Sequence, residues 1–172
     1  WKSEDHGQTW GQVTTFPTAA TPDPGLGFVL FDRFLSGRVF VGNLSSGGLY
    51  QSLDGGATWA LVPGQPTGNF AAGTGTRKPQ KAVIDRNGIL YLTLGDQAGP
   101  NGMGNGEVWK LDTTTATWTN ITPAGSVRGG FVGLDVDSQQ PDTVVMATFD
   151  RWYPIDTVYL SRDAGATWKD LG

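Results

Sequence analysis

The chain has 172 residues and a net charge of −4, and its 12 lysines and arginines are scattered rather than clustered, which argues against nucleic acid as a partner. It contains no cysteine, excluding disulfides and thiolate chemistry, and no apolar run of about 18 residues, excluding a membrane-spanning helix. The 26 glycines and 10 prolines suit many short strands and tight turns.

The first signal in chain order is Ser3-Glu4-Asp5-His6-Gly7-Gln8-Thr9-Trp10. Its pattern, Ser-x-Asp-x-Gly-x-Thr-Trp, returns at Ser52–Trp59 and at Ser161–Trp168. A worn copy ends at Trp118, keeping only Thr117 and Trp118. The four tryptophans are spaced by 49, 59 and 50 residues, and a recurring unit of about 40 to 60 residues marks a repeat architecture. The eight-mer is an Asp-box. Its Asp accepts backbone N–H groups across a hairpin corner, and its Gly adopts a conformation other residues resist. Its Trp closes the turn and packs between neighbouring repeats. Asp5, Asp54 and Asp163 are therefore read as turn-builders. His6, the only histidine, occupies a variable box position and is given no catalytic or metal role.

Between the boxes, strand signals come in fours. The first set is 27–31, 38–42, 48–52 and 58–62. The second is 81–85, 89–94, 107–111 and 117–121, and the third is 131–136, 143–148, 157–161 and 167–171. Each run is short, rich in β-branched and aromatic residues, and bounded by Gly, Asp, Asn or Pro. No ten-residue window has a helical period. Four strands per repeat of about 50 residues describe a β-propeller blade. The expected fold is all-β: one partial propeller domain over 1–172, with a blade remnant at 1–14 and blades at about 27–62, 81–121 and 131–171. Propellers close with about four to eight blades, so three blades and a hairpin leave apolar faces for further blades to cover. The chain also opens inside a repeat, without an initiator methionine, and is expected to be part of something longer.

Each box lies between the third and fourth strands of its blade, on the same rim as the first-to-second turn. The opposite rim carries the second-to-third loops and the blade-to-blade crossings. These are the long segments, 15–26, 43–46, 63–80, 95–106, 123–130 and 150–156, where function is expected to reside. In Asp150-Arg151-Trp152-Tyr153-Pro154-Ile155-Asp156 two bulky rings are adjacent. In an irregular loop both can lie along a groove and stack on sugar rings. About 100 Å² of covered ring contributes about 2.5 kcal/mol before the costs of binding. The alternative is that one ring plugs the propeller centre or an inter-blade crevice.

Carboxylates are the other chemistry. There are 14 Asp and two Glu, Glu4 and Glu107. Asp32, Asp85 and Asp137 follow first strands, where Asp seeds turns. Asp96 and Asp150 end second strands on the loop rim of adjacent blades, and a two-carboxylate hydrolase needs its pair about 5 to 9.5 Å apart. No His, Asp or Glu cluster has metal-ligand spacing, so neither metal nor cofactor is expected.

Several strings resemble glycoside hydrolase family 74, the xyloglucan-cleaving endo-β-1,4-glucanases. They are Gly64-Gln65-Pro66-Thr67-Gly68; Leu90-Tyr91-Leu92-Thr93; Gly99-Pro100 with the Gly-rich stretch to Gly106; Val108-Trp109-Lys110; Trp118-Thr119-Asn120-Ile121-Thr122-Pro123; and Arg151-Trp152-Tyr153-Pro154 with Asp156. They span nearly the whole chain in order. The resemblance implies a secreted, inverting hydrolase of two seven-bladed propellers with the glucan in the cleft between them. Its two catalytic aspartates come one from each propeller, the first near the start of the N-terminal one. This chain is similar to the middle-to-late part of that propeller, so neither catalytic Asp is expected within it. Its partners would be the polysaccharide, the remaining blades and the second propeller. Trp152 and Tyr153 match the positions where the family stacks two rings on the leaving-group side of the bound chain. Two departures are Tyr153, where many members have Trp, and Gln80, where His is common.

Two other classes remain. A sialidase would need an arginine cluster and a Tyr-Glu pair, which seven arginines and two glutamates placed in a box and at a strand start fit poorly. A non-catalytic Asp-box propeller binding a protein or polysaccharide suits the composition but leaves the Gly64–Gly68 string and the aromatic pair without a purpose.

Overall fold

The structure is a computed structural model and describes residues 1–17, 25–45, 47–70, 75–98, 101–125 and 128–172. It is all-β, with three four-stranded antiparallel sheets. The first sheet holds β1 (Leu26–Phe31), β2 (Val39–Asn43), β3 (Gly48–Ser52) and β4 (Ala60–Leu61). The second holds β5 (Lys78–Ile84), β6 (Ile89–Gly95), β7 (Gly106–Asp112) and β8 (Thr117–Asn120). The third holds β9 (Gly130–Val136), β10 (Val144–Phe149), β11 (Val158–Ser161) and β12 (Lys169–Asp170). Within each sheet the strands pair in sequence order, and the first strands meet at the inner edge, β5 packing against β1 on one side and β9 on the other. This is the arrangement of propeller blades around an axis. Before the first sheet, Lys2 and Gly11 exchange backbone hydrogen bonds of 2.8 and 2.9 Å, closing a hairpin around the first box.

The cores lie between sheets, as the period-2 alternation of strands requires. On β6, Leu90, Leu92 and Leu94 turn toward the first sheet and join Phe40, Leu49, Ala82 and Phe70. Tyr91 turns the other way and packs with Phe131, Leu134, Val144 and Met146 of the third sheet. The central sheet is thus buried on both faces, and each fully buried side chain of this size contributes about 1.5–3 kcal/mol. On the first sheet Val29 and Phe31 of β1 remain exposed.

The twelve expected strands are all present, with two systematic differences at their edges. The expected fourth strands of blades one and three begin at 58 and 167, whereas β4 and β12 begin at Ala60 and Lys169. The box consumes the missing residues: the amides of Thr58 and Thr167 are given to Asp54 and Asp163 instead of to a ladder. In the worn copy no such capture occurs, and β8 begins at Thr117 as the pattern predicts. The expected ends are marked by single bonds beyond the strands, from Val62 to Leu49, Ile121 to Val108 and Leu171 to Val158.

Candidate functional site

The boxes supply the first half of the site's geometry, because they fix which rim is which. In the second box Ser52 Oγ donates to Asp54 Oδ1 (2.7 Å) and accepts the Gly56 amide (2.8 Å). The other Asp54 oxygen accepts Thr58 Oγ1 at 2.6 Å. The same bonds recur around Asp5 and Asp163. The Thr hydroxyl, the Thr amide and the Ser hydroxyl hold each of these three carboxyls at a pKa of about 2, below the ordinary 3.8. They are turn-builders, as expected. The fourth box position is less free than its variability suggests. His6, Gly55 and Ala164 all adopt positive φ there, at 58°, 70° and 55°, so His6 is held in a left-handed corner. In the three four-stranded sheets the box corner or its worn equivalent also bonds the first-to-second turn of its own blade: Gly55 to Gly37 (2.8 Å), Thr113 to Gly88 (3.1 Å) and Ala164 to Asp142 (2.9 Å). The two turn types therefore share one rim. Asp32, Asp85 and Asp137 each accept backbone amides within those turns.

The opposite rim gathers the long loops. Residues 18–24, 46, 71–74, 99–100 and 126–127, which include Gly99-Pro100, lie outside the described residues. Asp96 is buried, with one oxygen accepting the Gly104 amide (3.0 Å) and the other Asn105 Nδ2 (2.8 Å). Asp150 Oδ2 accepts the Met103 amide at 2.8 Å. The two aspartates thus clamp one loop, 103–105, from adjacent blades. They form a structural bracket, and sequence spacing had left open whether they formed an acid–base pair.

The aromatic loop stands above this bracket. Thr148 and Thr157 close its base through backbone and hydroxyl bonds of 2.9–3.1 Å, and the Ile155 amide turns back to the Trp152 carbonyl (2.9 Å). Asp150 and Trp152 both have positive φ, 58° and 62°. Arg151 between them points inward and is 2% exposed, whereas Trp152 is 64% and Tyr153 94% exposed. Within this chain neither ring is packed into the core and both are exposed to solvent. Beneath the loop a cavity of about 270 Å³ is lined by Arg151, Pro154, Tyr159 and Asp170, among others. Among the described residues no group of three or more His, Cys, Asp or Glu could hold a metal ion, and no helix is long and apolar enough to cross a membrane.

No family model matches the chain. A xyloglucanase from Paenibacillus is 40% identical over 99% of the chain and 18% of its own length. A probable oligoxyloglucan-reducing end-specific xyloglucanase from Neosartorya fischeri is also 40% identical, over 99% of the chain and 24% of its own length. In three dimensions the crystal structure of the family 74 xyloglucanase from Xanthomonas campestris matches 100% of the chain with a TM-score of 0.86 at 33% identity. The chain belongs to glycoside hydrolase family 74. It spans about a fifth of the length of these curated relatives and 26% of the Xanthomonas structure. A family 74 enzyme of Niastella koreensis matches 85% of it with a TM-score of 0.71 and 30% identity.

The structure also shows what the family 74 strings do here. In Gly64–Gly68, the Gln65 side chain acts as an extra strand residue: Oε1 accepts the Leu49 amide (2.6 Å) while Nε2 donates to the Leu49 and Val62 carbonyls (both 3.1 Å). The crossing that follows is pinned by Arg77, which pairs with Glu107 through Nε and Nη2 at 2.8 Å each. Arg77 also stacks on Phe70, 5.0 Å from the ring centroid. Burial pushes the Glu107 carboxyl up, but Arg77 and the Trp109 indole more than offset it, leaving it below its ordinary value. Gln80 donates to the Gln97 carbonyl (2.7 Å) and so ties an inner strand to the second-to-third loop. Sequence reasoning missed Arg77, Glu107 and Arg151 as builders of this rim. Their type is visible in the chain, but their partners lie 20 to 30 residues away.

Proposed function

We propose that this chain forms part of a secreted xyloglucan-degrading glycoside hydrolase, in which it supplies propeller scaffold and a sugar-binding loop. Trp152 and Tyr153 are its aromatic platform. The observation that carries the reading is their joint exposure on the loop rim, in a chain 40% identical over nearly its whole length to a protein named as a xyloglucanase. Flat aromatic faces bind the C–H faces of sugar rings by burying apolar area at little cost in side-chain entropy. In this reading 1–172 lies within one propeller domain. Cleavage follows an inverting two-carboxylate route whose aspartates lie outside 1–172, since Asp96 and Asp150 are occupied by the loop they clamp. The glucan backbone of xyloglucan or a related plant polysaccharide is the substrate, and other blades and a second propeller complete the cleft.

The test is retention on immobilised xyloglucan. Trp152→Ala is expected to weaken retention about tenfold or more, the size of one lost stacking platform. Unchanged retention would remove Trp152 from the site. A second reading, a propeller that binds polysaccharide or protein without cleaving it, is favoured by the occupied state of the two rim aspartates. Release of new reducing ends from soluble xyloglucan separates the two.

A further inference from the structure

We propose that Arg151 is the positioning residue of the aromatic loop, a buried cation seated on the Phe131 ring that forces Trp152 and Tyr153 to face outward. The purpose assigned to those rings rests on the function proposed above; the positioning itself does not. Arg151 is an arginine at 2% exposure. No carboxylate pairs with it in an ion pair or hydrogen bond among the described residues, and its Nε and Nη2 are buried without any hydrogen-bond partner. Its direct contact is an aromatic face, with its guanidinium carbon 4.6 Å from the Phe131 centroid. That is within the range of a cation–π contact, which strengthens as water is excluded. The Asp170 carboxylate across the same cavity feels its charge through space without touching it.

The surroundings are shaped for this side chain. Gly129 lies against its stem: a Cβ there would come within 2.6 Å of Arg151 Cγ and 2.9 Å of the Phe149 carbonyl oxygen. Phe131, fully buried between the second and third sheets, offers a fixed ring. The residues flanking Arg151 both take left-handed backbone conformations, which non-glycine residues adopt at a cost. Asp150 is held in by the Met103 amide, so the next inward residue determines where the chain goes. With Arg151 drawn into its slot, the left-handed turn at Trp152 sends that ring and the next to solvent. An apolar side chain of similar length would fill the slot without leaving donors unpaired, at lower cost. Such a side chain would lack the flat cation that meets the Phe131 face, and so would lysine.

The experiment labels the intact protein with 5-fluorotryptophan and follows the ¹⁹F line of Trp152, assigned by its loss in Trp152→Phe. In Arg151→Ala and Arg151→Lys the Trp152 line is expected to move, while the lines of Trp118 and Trp168, half-buried against the blade cores, stay in place. Free guanidinium at millimolar concentration should return the line in Arg151→Ala. Phe131→Leu, which keeps apolar volume but removes the ring face, should move the line as Arg151→Ala does. If Arg151→Ala fails to fold, losing the Trp118 and Trp168 lines as well, Phe131→Leu and Arg151→Lys decide the matter. A Trp152 line unmoved in folded Arg151→Ala, or restored by lysine, overturns the proposal. Sugar affinity is read separately: it should weaken about five- to tenfold in Arg151→Ala, and not at all once Trp152 and Tyr153 are already alanine. A moved line with affinity unchanged in both Arg151→Ala and Trp152→Ala would leave the positioning intact and remove the sugar-binding reading.

Discussion

The two rims of this arc are built by opposite strategies. On the box rim each box aspartate spends its acceptors on its own turn, four residues away at most. On the loop rim Asp96 reaches 8 residues to Gly104, Asp150 reaches 47 to Met103, and Arg77 reaches 30 to Glu107. Local closure makes a corner that can be copied from blade to blade. Long-range closure makes each loop a separate construction, free to differ in length and to carry exposed rings. The lesson is that the repeat holds the scaffold while the departures from it hold the surface on which a ligand can act.

That contrast can be broken, starting from the change with the largest expected cost. Trp168→Ala removes a half-buried ring at the box end together with its bond to the Ile121 carbonyl of the second blade (2.7 Å). It should cost about 2–3 kcal/mol in urea unfolding, less than a fully buried Trp would. Arg77→Met leaves Glu107 mostly buried without its cation, since both side chains are only about 15% exposed. A loss of about 2 kcal/mol is expected, along with increased proteolysis of the 63–77 crossing and little change at the boxes. Asp163→Asn acts on pH dependence. Its carboxyl titrates at about 2 in the folded chain against an ordinary 3.8. The stabilisation from such a lowered group is therefore complete above about pH 4 and is lost as pH falls toward 2. Urea midpoints between pH 5 and 2.5 should fall less steeply in Asp163→Asn than in the wild type. Trp152→Ala, at the loop rim, should alter stability by less than about 0.5 kcal/mol while weakening retention on xyloglucan. A large stability loss there would show that the rim's aromatic pair belongs to the scaffold after all.

Much of this was legible in the chain. The twelve strands follow from short β-branched and aromatic runs bounded by Gly and Asp, and the rim assignment follows from where the boxes fall. The left-handed fourth box position was not legible, because His6, Gly55 and Ala164 share a backbone conformation and no side-chain chemistry. Gln65, Arg77 and Arg151 were equally silent. Each is an ordinary polar residue until the fold brings it a strand edge, a carboxylate or a ring from elsewhere in the sequence. The exposure of Trp152 and Tyr153 could be posed only as one of two outcomes, since an inward Arg151 and the turn at Trp152 decide it, and neither has a sequence signature.

The closing tryptophans carry a last consequence. Trp118 Nε1 donates to the Pro63 carbonyl and Trp168 Nε1 to the Ile121 carbonyl. Each acceptor lies three or four residues beyond the preceding tryptophan of the series, Trp59 or Trp118. The Trp118 and Trp168 units thus interlock, each plugging a socket just behind the tryptophan before it, whereas Trp10 and Trp59 donate to the Gly7 and Gly56 carbonyls of their own boxes. A gene segment encoding such a unit can be duplicated in tandem, and the new copy arrives with its fastenings already matched to both neighbours. Where that interlock is present, growth of the ring by duplication needs no new contact between blades to be invented.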